Sequence, residues 1–479
     1  MRKNNFFYCI VLWGVLFAGC NFLDEQSQDE VIPKTAQDFG ELLLGSGYPS
    51  PTKDYLSFLY LLDDDSEANY INIPLLATYP NFQTNFAPYT WQPDMAARIN
   101  TPASLKNGSA YSELYACINV CNSILDLIDD AIGSAEEKDR VKAEALALRA
   151  FHYFYLINIY ASPYNVDKNS PGVVLKLEAG VDASPMSRHT VEQVYLQIVD
   201  DLKEAIRLFK SYAITRDNYR INLPATSILL SRVYLYMEDW SACISAATQA
   251  IEESNGLTDM RGNTAWAPIA IYPFGETEWV YGYTRSNYAE LLNYLDFIPS
   301  LELLSLYDIN NDKRYITFFR NAQRWAGVTS YSGITINKND YAASNHTYLG
   351  HSVRIAEAYL NRAEAYARRQ DGKAVDDINA LREKRIVGYT PVSAVTIQEV
   401  LDERRKELCY EIPRWFDLRR NGMPELIHRW KEGENMPELT FTLKERDPMY
   451  TLPIPDDAFI DNGKLIQNES RNSGEREGK

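Results

Sequence analysis

Along most of this chain apolar residues recur every three or four positions, the period of a helix that buries one stripe. In VKAEALALRAFHYFYLINIY the stripe runs through Ala143, Leu146, Ala147, Ala150, Phe154 and Ile157. VEQVYLQIVDDLKEAIRLF repeats it with Val194, Ile198, Leu202, Ala205 and Phe209, and Thr190 with Gln193 predicts a capping box at its start. Over 111–130, Cys117 and Cys121 share a helical stripe with Leu114, Ile118, Ile124, Leu125 and Ile128, so they read as small core residues. RIAEAYLNRAEAYARR and TIQEVLDERRKELCYE predict two further helices near the C-terminus.

Within these helices a small residue stands three places before a tyrosine at Ala150/Tyr153, Ser231/Tyr234 and Ala363/Tyr366. Trp240, Cys243 and Ala250 then follow Tyr234 at the spacing of a tetratricopeptide repeat. The copies are unequally spaced, which predicts degenerate helix pairs with long insertions, not a regular solenoid. The expected fold is mainly α: a tetratricopeptide-like scaffold over about 105–255 and 350–422, with few short strands. A loop-rich face is expected over about 60–100 and 256–350.

Two stretches break the helical period. Residues 70–91 carry six aromatics and three prolines, and residues 256–350 carry 17 aromatics interleaved with turn-formers and asparagine. Irregular segments of that length in a folded body are often functional. Alternation in WVYGY predicts one packed strand face of Trp279, Tyr281 and Tyr283. The acidic run LLDDDSEAN (Asp63, Asp64, Asp65 and Glu67) is expected to be a solvated loop, and ERRKEL and RWFDLRR to be helix-surface ion pairs. Asp308, Asn310 and Asp312 imitate the opening of a calcium loop, but Lys313 replaces its glycine and Phe319 its bidentate glutamate. The five histidines lack metal-site spacing, and no G-x-S-x-G, Walker loop or CxxC pair is present. No cofactor and no metal is expected.

The chain opens with Arg2, Lys3 and an apolar run from Phe6 to Ala18, too short to span a bilayer and suited to an export signal over 1–19. Ala18 and Gly19 before Cys20 match a bacterial lipobox, although Phe17 stands where leucine is usual. Cys20 is therefore the expected lipidation site; several acyl chains together anchor a protein firmly. Removing Arg2 and Lys3 with the signal leaves 46 basic against 65 acidic residues, a net of −19. That balance argues against nucleic-acid partners.

Several blocks, in order, resemble the SusD/RagB family of nutrient-binding outer-membrane lipoproteins. They are CNFLDE, YTWQPD, RAFHYFYLINIYA, PSLELLSLYDINNDKRYITFF, RIAEAYLNRAEAYAR, ERRKELCYEIPRWFDLRRNG and YTLPIPDDAFIDNGKLIQN. Ile412-Pro413 departs from the family's usual Glu-Gly and is expected to alter a turn beside Arg414. The resemblance implies cell-surface binding of oligosaccharide and its delivery to a SusC-like TonB-dependent barrel, without catalysis. Asp24 and Glu25 after the lipid cysteine would then serve as a surface-export address. It also places the ligand face on the two irregular stretches. There Tyr70, Tyr79, Asn81, Trp91, Trp266, Arg285, Asn287, Tyr288 and Trp325 supply flat rings for sugar C–H faces and planar polar groups for hydroxyls. Oligopeptide cargo is the alternative within the family; a glycoside hydrolase and a periplasmic repeat adaptor are the alternatives outside it.

Overall fold

Helices begin where side chains can satisfy the first free N–H groups. Reciprocal caps open α1 (Ala36–Leu42) at Thr35 and Asp38; α2 (Ala110–Leu127) follows, and Ser134 with Glu137 opens α3 (Ala135–Tyr160). Thr190 and Gln193 form the expected box at α4 (Val191–Lys210). Asn222 caps α5 (Leu223–Tyr236), and Asp239 caps α6 (Trp240–Glu253). The later helices are α7 (Ile355–Arg368), α8 (Ala374–Glu383), α9 (Ile397–Leu408), boxed by Thr396 and Glu399, and α10 (Arg414–Arg420). The computed structural model describes residues 33–49, 55–70, 73, 76, 80–99, 110–180, 184–214, 220–265, 275–281, 295–326, 329–336, 338, 351–433, 435–460 and 462–479.

Consecutive helices pack in pairs: α2 on α3, α3 on α4, α4 on α5, α5 on α6, then α6 on α7 and α7 on both α8 and α9. α3 is the centre of this array. Every residue from Ala143 to Tyr160 is buried, so the single stripe expected from the sequence becomes a helix enclosed on all sides. Its polar residues are consumed internally: Arg149 forks onto Asp201 of α4 at 2.8 and 2.7 Å, and Tyr48 donates to Glu144 at 2.7 Å. Small residues allow the close approaches. Ser231 of α5 is fully buried and accepts from Asn361 of α7 at 2.8 Å, beside the Arg232–Glu357 pair at 2.5 Å. Cys117 and Cys121 are core residues, as expected.

Among the described residues the strands form two-stranded antiparallel sheets: β1 (Ser66–Ala68) with β3 (Phe297–Pro299), β2 (Thr277–Tyr281) with β6 (His351–Arg354), β4 (Phe319–Ala326) with β5 (Thr329–Ile336), and β7 (Leu426–Trp430) with β8 (Leu439–Leu443). The fold is mainly helical with few short sheets. β2 corrects one expectation: Glu278 and Val280 are buried as well as Trp279 and Tyr281, so both strand faces are covered. Tyr283 lies outside the described residues.

The charged runs need a larger correction. In α9 Glu403, Arg404, Arg405, Lys406 and Glu407 are all buried, and in α10 so are Asp417, Arg419 and Arg420. They are not a solvated helix surface. Their partners come from other elements: Arg314, Arg354 and Arg385 all reach Glu407, and Arg420 forks onto Glu364 at 2.6 and 2.7 Å.

Candidate functional site

The irregular stretches enter and leave the scaffold through strand ends that lie together. In the β2–β6 sheet Tyr281 faces His351, so the chain departs after 281 and returns before 351 at the same edge. In the β1–β3 sheet Ala68 faces Phe297, which puts the exit of β1 beside the entry of β3. Ring contacts join the two sheets: Trp279 tilted against Tyr281 at 4.7 Å, then Tyr281 stacked on His351 at 5.6 Å, His351 on Tyr60 at 5.9 Å and Tyr60 on Tyr410 at 6.3 Å. Tyr410 completes the link by donating to Asp65 O at 2.7 Å. Tyr281 and His351, the described residues at that edge, thus belong to one shared aromatic floor.

The expected ligand residues fare differently. Trp91 is fully buried, its Nε1 donating to Leu62 O at 2.9 Å. Its ring stacks on His428 at 4.2 Å, and Tyr89 stacks on the same imidazole at 4.2 Å. Trp91 is therefore core and offers no stacking face: packing within the body outcompetes exposure once a flat partner is present. Tyr70 lies two residues beyond β1, buried to 9% exposure, with its hydroxyl accepting from Lys431 N at 2.7 Å. Asn81 lies in the short helix Pro80–Gln83, and Trp325 lies in β4 opposite Ser330, next to the hairpin tip. Tyr79, Trp266, Arg285, Asn287, Tyr288 and the lipidation site Cys20 lie outside the described residues.

Beside Tyr70, residues of β1 and β7 line a cavity of about 740 Å³. Its walls carry Asp64, Glu67, Glu302, Arg414 and Arg429, with Tyr70, Tyr89, Leu301 and Ile427 as the apolar part. The acidic run Asp63–Asp65 is not a solvated loop here, since Asp63 and Asp65 are 1% and 2% exposed. Arg405 donates to Asp65 at 2.7 Å and Arg414 to Asp64 at 3.0 Å. Burial pushes the Asp64 carboxyl up, but the Arg414 and Arg405 guanidiniums outweigh it and hold the group below its ordinary range. Burial, with Asp65 and Asp64 adding negative charge nearby, drives Asp63 the other way. Sequence reasoning passed over this wall because the arginines that bury it lie some 340 positions later in the chain. Among the described residues no group of three or more His, Cys, Asp or Glu is arranged to hold a metal ion.

Two family models match the chain. One, described as starch-binding and associating with the outer membrane, covers residues 57–235, and the SusD family model covers residues 319–470. The chain belongs to the SusD/RagB family. That family consists of binding proteins, and this member is not an enzyme. A SusD-like protein of Bacteroides ovatus is 22% identical over 85% of this chain and 81% of its own length. The starch-binding protein SusD of Bacteroides thetaiotaomicron is 39% identical across a shorter region, 24% of this chain and 20% of that protein. Among solved structures, a SusD superfamily protein of Bacteroides thetaiotaomicron superposes with a TM-score of 0.71 at 22% identity, covering 91% of this chain and 99% of its own.

Proposed function

We propose that this SusD-like protein captures soluble oligosaccharide at the outer surface of the cell and hands it, chemically unchanged, to a SusC-like TonB-dependent barrel. The observation that carries this is the match of residues 57–235 to a family model described as starch-binding and associating with the outer membrane. The architecture supports it: a rigid helical array holds one aromatic floor, to which stretches rich in Tyr, Trp and Asn connect. Tyr70, Tyr79, Asn81, Trp266, Arg285, Asn287, Tyr288 and Trp325 are the proposed ligand residues, Trp91 being excluded by burial. Cys20 is the proposed lipid anchor, and Asp24 with Glu25 the export address.

An open face that stacks a few sugar rings gives a Kd of roughly micromolar to millimolar, because ordering a flexible glycan offsets much of the contact energy. The test is calorimetry of the mature chain against starch oligosaccharides, laminarin, other glycans and short peptides, with product analysis of the same mixtures. Binding of a glycan without turnover is the expected result. Turnover would overturn the non-catalytic reading, and binding of peptides alone would replace the cargo.

A further inference from the structure

We propose that the cavity lined by β1 and β7 binds the protonated amine of an amino-sugar unit, with Glu67 as its carboxylate partner and the Tyr89 hydroxyl donating to a neighbouring sugar oxygen. This rests on the glycan reading above and adds a charged unit to the cargo.

Five carboxylates and two guanidiniums line the cavity, and most of the carboxylates are accounted for. Arg414 and Arg405 hold Asp64 at 3.0 and 3.2 Å, and Arg405 also donates to Glu302 at 2.6 Å. Glu438 has Arg429 at 3.9 Å, and Glu425 is exposed to water. Glu67 is different. It sits in the middle of β1 opposite Ile298 of β3, half-buried, with no hydrogen bond or ion pair among the described residues. Burial pushes its carboxyl up, and Arg429 offsets only part of that. A carboxylate drawn part-way out of water without a partner carries an uncompensated desolvation cost, which a bound cation removes.

Tyr89 supplies a second unmet group. It lines the same cavity, is 1% exposed, and its hydroxyl oxygen accepts from Ala68 N at 3.1 Å. The hydroxyl proton has no acceptor among the described residues. Burial raises this phenol and the Glu67 and Glu438 carboxylates add to the rise, which sets the hydroxyl on their side of the cavity. A buried O–H without an acceptor is costly, so this one calls for an oxygen beside the cation that Glu67 calls for. An ammonium and a hydroxyl on adjacent carbons meet both demands, and in a glycan that pair is an amino-sugar ring. Leu301 and Ile427, exposed lining residues, give the C–H face of such a ring an apolar wall. A metal ion does not suit the cavity, since no three of the described His, Cys, Asp or Glu side chains are arranged to hold one.

Calorimetry of the full mature chain, at a pH that keeps the amines protonated, tests this with two pairs of probes. They are glucosamine tetramer against its N-acetylated form, and trilysine against its acetylated form. The glucosamine tetramer should bind about tenfold or more tightly than its acetylated counterpart, the worth of a hydrogen bond to a charged group. Glu67→Gln should abolish that preference, whereas Glu445→Gln, an exposed carboxylate outside the cavity, should keep it. Arg429→Gln should raise the preference roughly threefold, because the exposed guanidinium competes for Glu67. If Glu67→Gln does not fold, the sign of the Arg429→Gln effect decides. Equal losses in Glu67→Gln and Glu445→Gln would reduce the preference to net charge and overturn the proposal. So would a preference shown by trilysine alone. Neutral glycans bound without any preference for the amine would sink this proposal and leave the glycan reading standing; binding of no glycan, charged or neutral, would remove both.

Discussion

Tryptophan is ambiguous at the scale of one residue, since the same flat ring that stacks on a sugar also stacks on another side chain. At Trp91 the second use wins, because His428 offers it a face at 4.2 Å and Leu62 O takes its N–H. Trp91→Ala is expected to lower unfolding free energy by ~3–5 kcal/mol, as truncation of a buried aromatic does. Trp266→Ala and Trp325→Ala should instead leave the urea midpoint near wild type and weaken glycan binding by ~1–3 kcal/mol each, by analogy with other stacked ligands. Urea titration and calorimetry on the three variants separate core from platform. A loss of glycan affinity in none of them would move the site elsewhere.

Among elements, pairing between helices decides which charges are buried. Arg232 of α5 and Glu357 of α7 are 2% and 1% exposed, and the guanidinium makes two hydrogen bonds of 2.5 and 2.7 Å to the carboxylate. Removing one partner leaves the other uncompensated. Arg232→Met is expected to cost ~3–5 kcal/mol, whereas Arg232→Met with Glu357→Leu should recover most of the loss. A double-mutant cycle in urea with Glu357→Leu as the second single variant checks this, and a double variant that costs the sum of the two singles would show that the pair is not coupled. No pattern in RIAEAYLNRAEAYARR marks Glu357 as buried, because its partner lies 125 positions away. The same holds for α9, whose charged face meets arginines from three separate segments.

For the whole molecule the buried ionisable groups set an acid limit. Burial lowers the imidazoles of His152 and His351 to about 4, so the folded state keeps them neutral at a pH where the unfolded chain protonates them near 6.5. Their contribution, on the order of 3 kcal/mol each, is present above pH 6.5 and is lost as pH falls towards 4. Glu411 continues the trend below that. Burial raises it, but Arg354 and Lys338 outweigh burial and hold it at about 2, so its share is present above the ordinary carboxylate range and is lost as pH falls through 2. Asp63, raised by burial, opposes both. Urea midpoints should therefore fall steadily from pH 7 to pH 4; a midpoint unchanged at pH 5 would contradict the neutral histidines.

Local chemistry was enough to place the helices, the Thr190–Gln193 cap and the cysteines in the core, because period and capping act between residues a few positions apart. The motifs in RAFHYFYLINIYA and RIAEAYLNRAEAYAR likewise carried the family. What only the tertiary structure decided was the fate of polar and aromatic side chains with distant partners. Asp63–Asp65, the α9 charges and Trp91 read as solvated or ligand-facing along the chain; Asp63, Asp65 and Trp91 are enclosed by segments more than 300 residues away, and Glu407 of α9 by arginines 22, 53 and 93 positions away. A buried charge or ring is defined by what surrounds it, and that is a property of the folded chain, not of its neighbours in sequence.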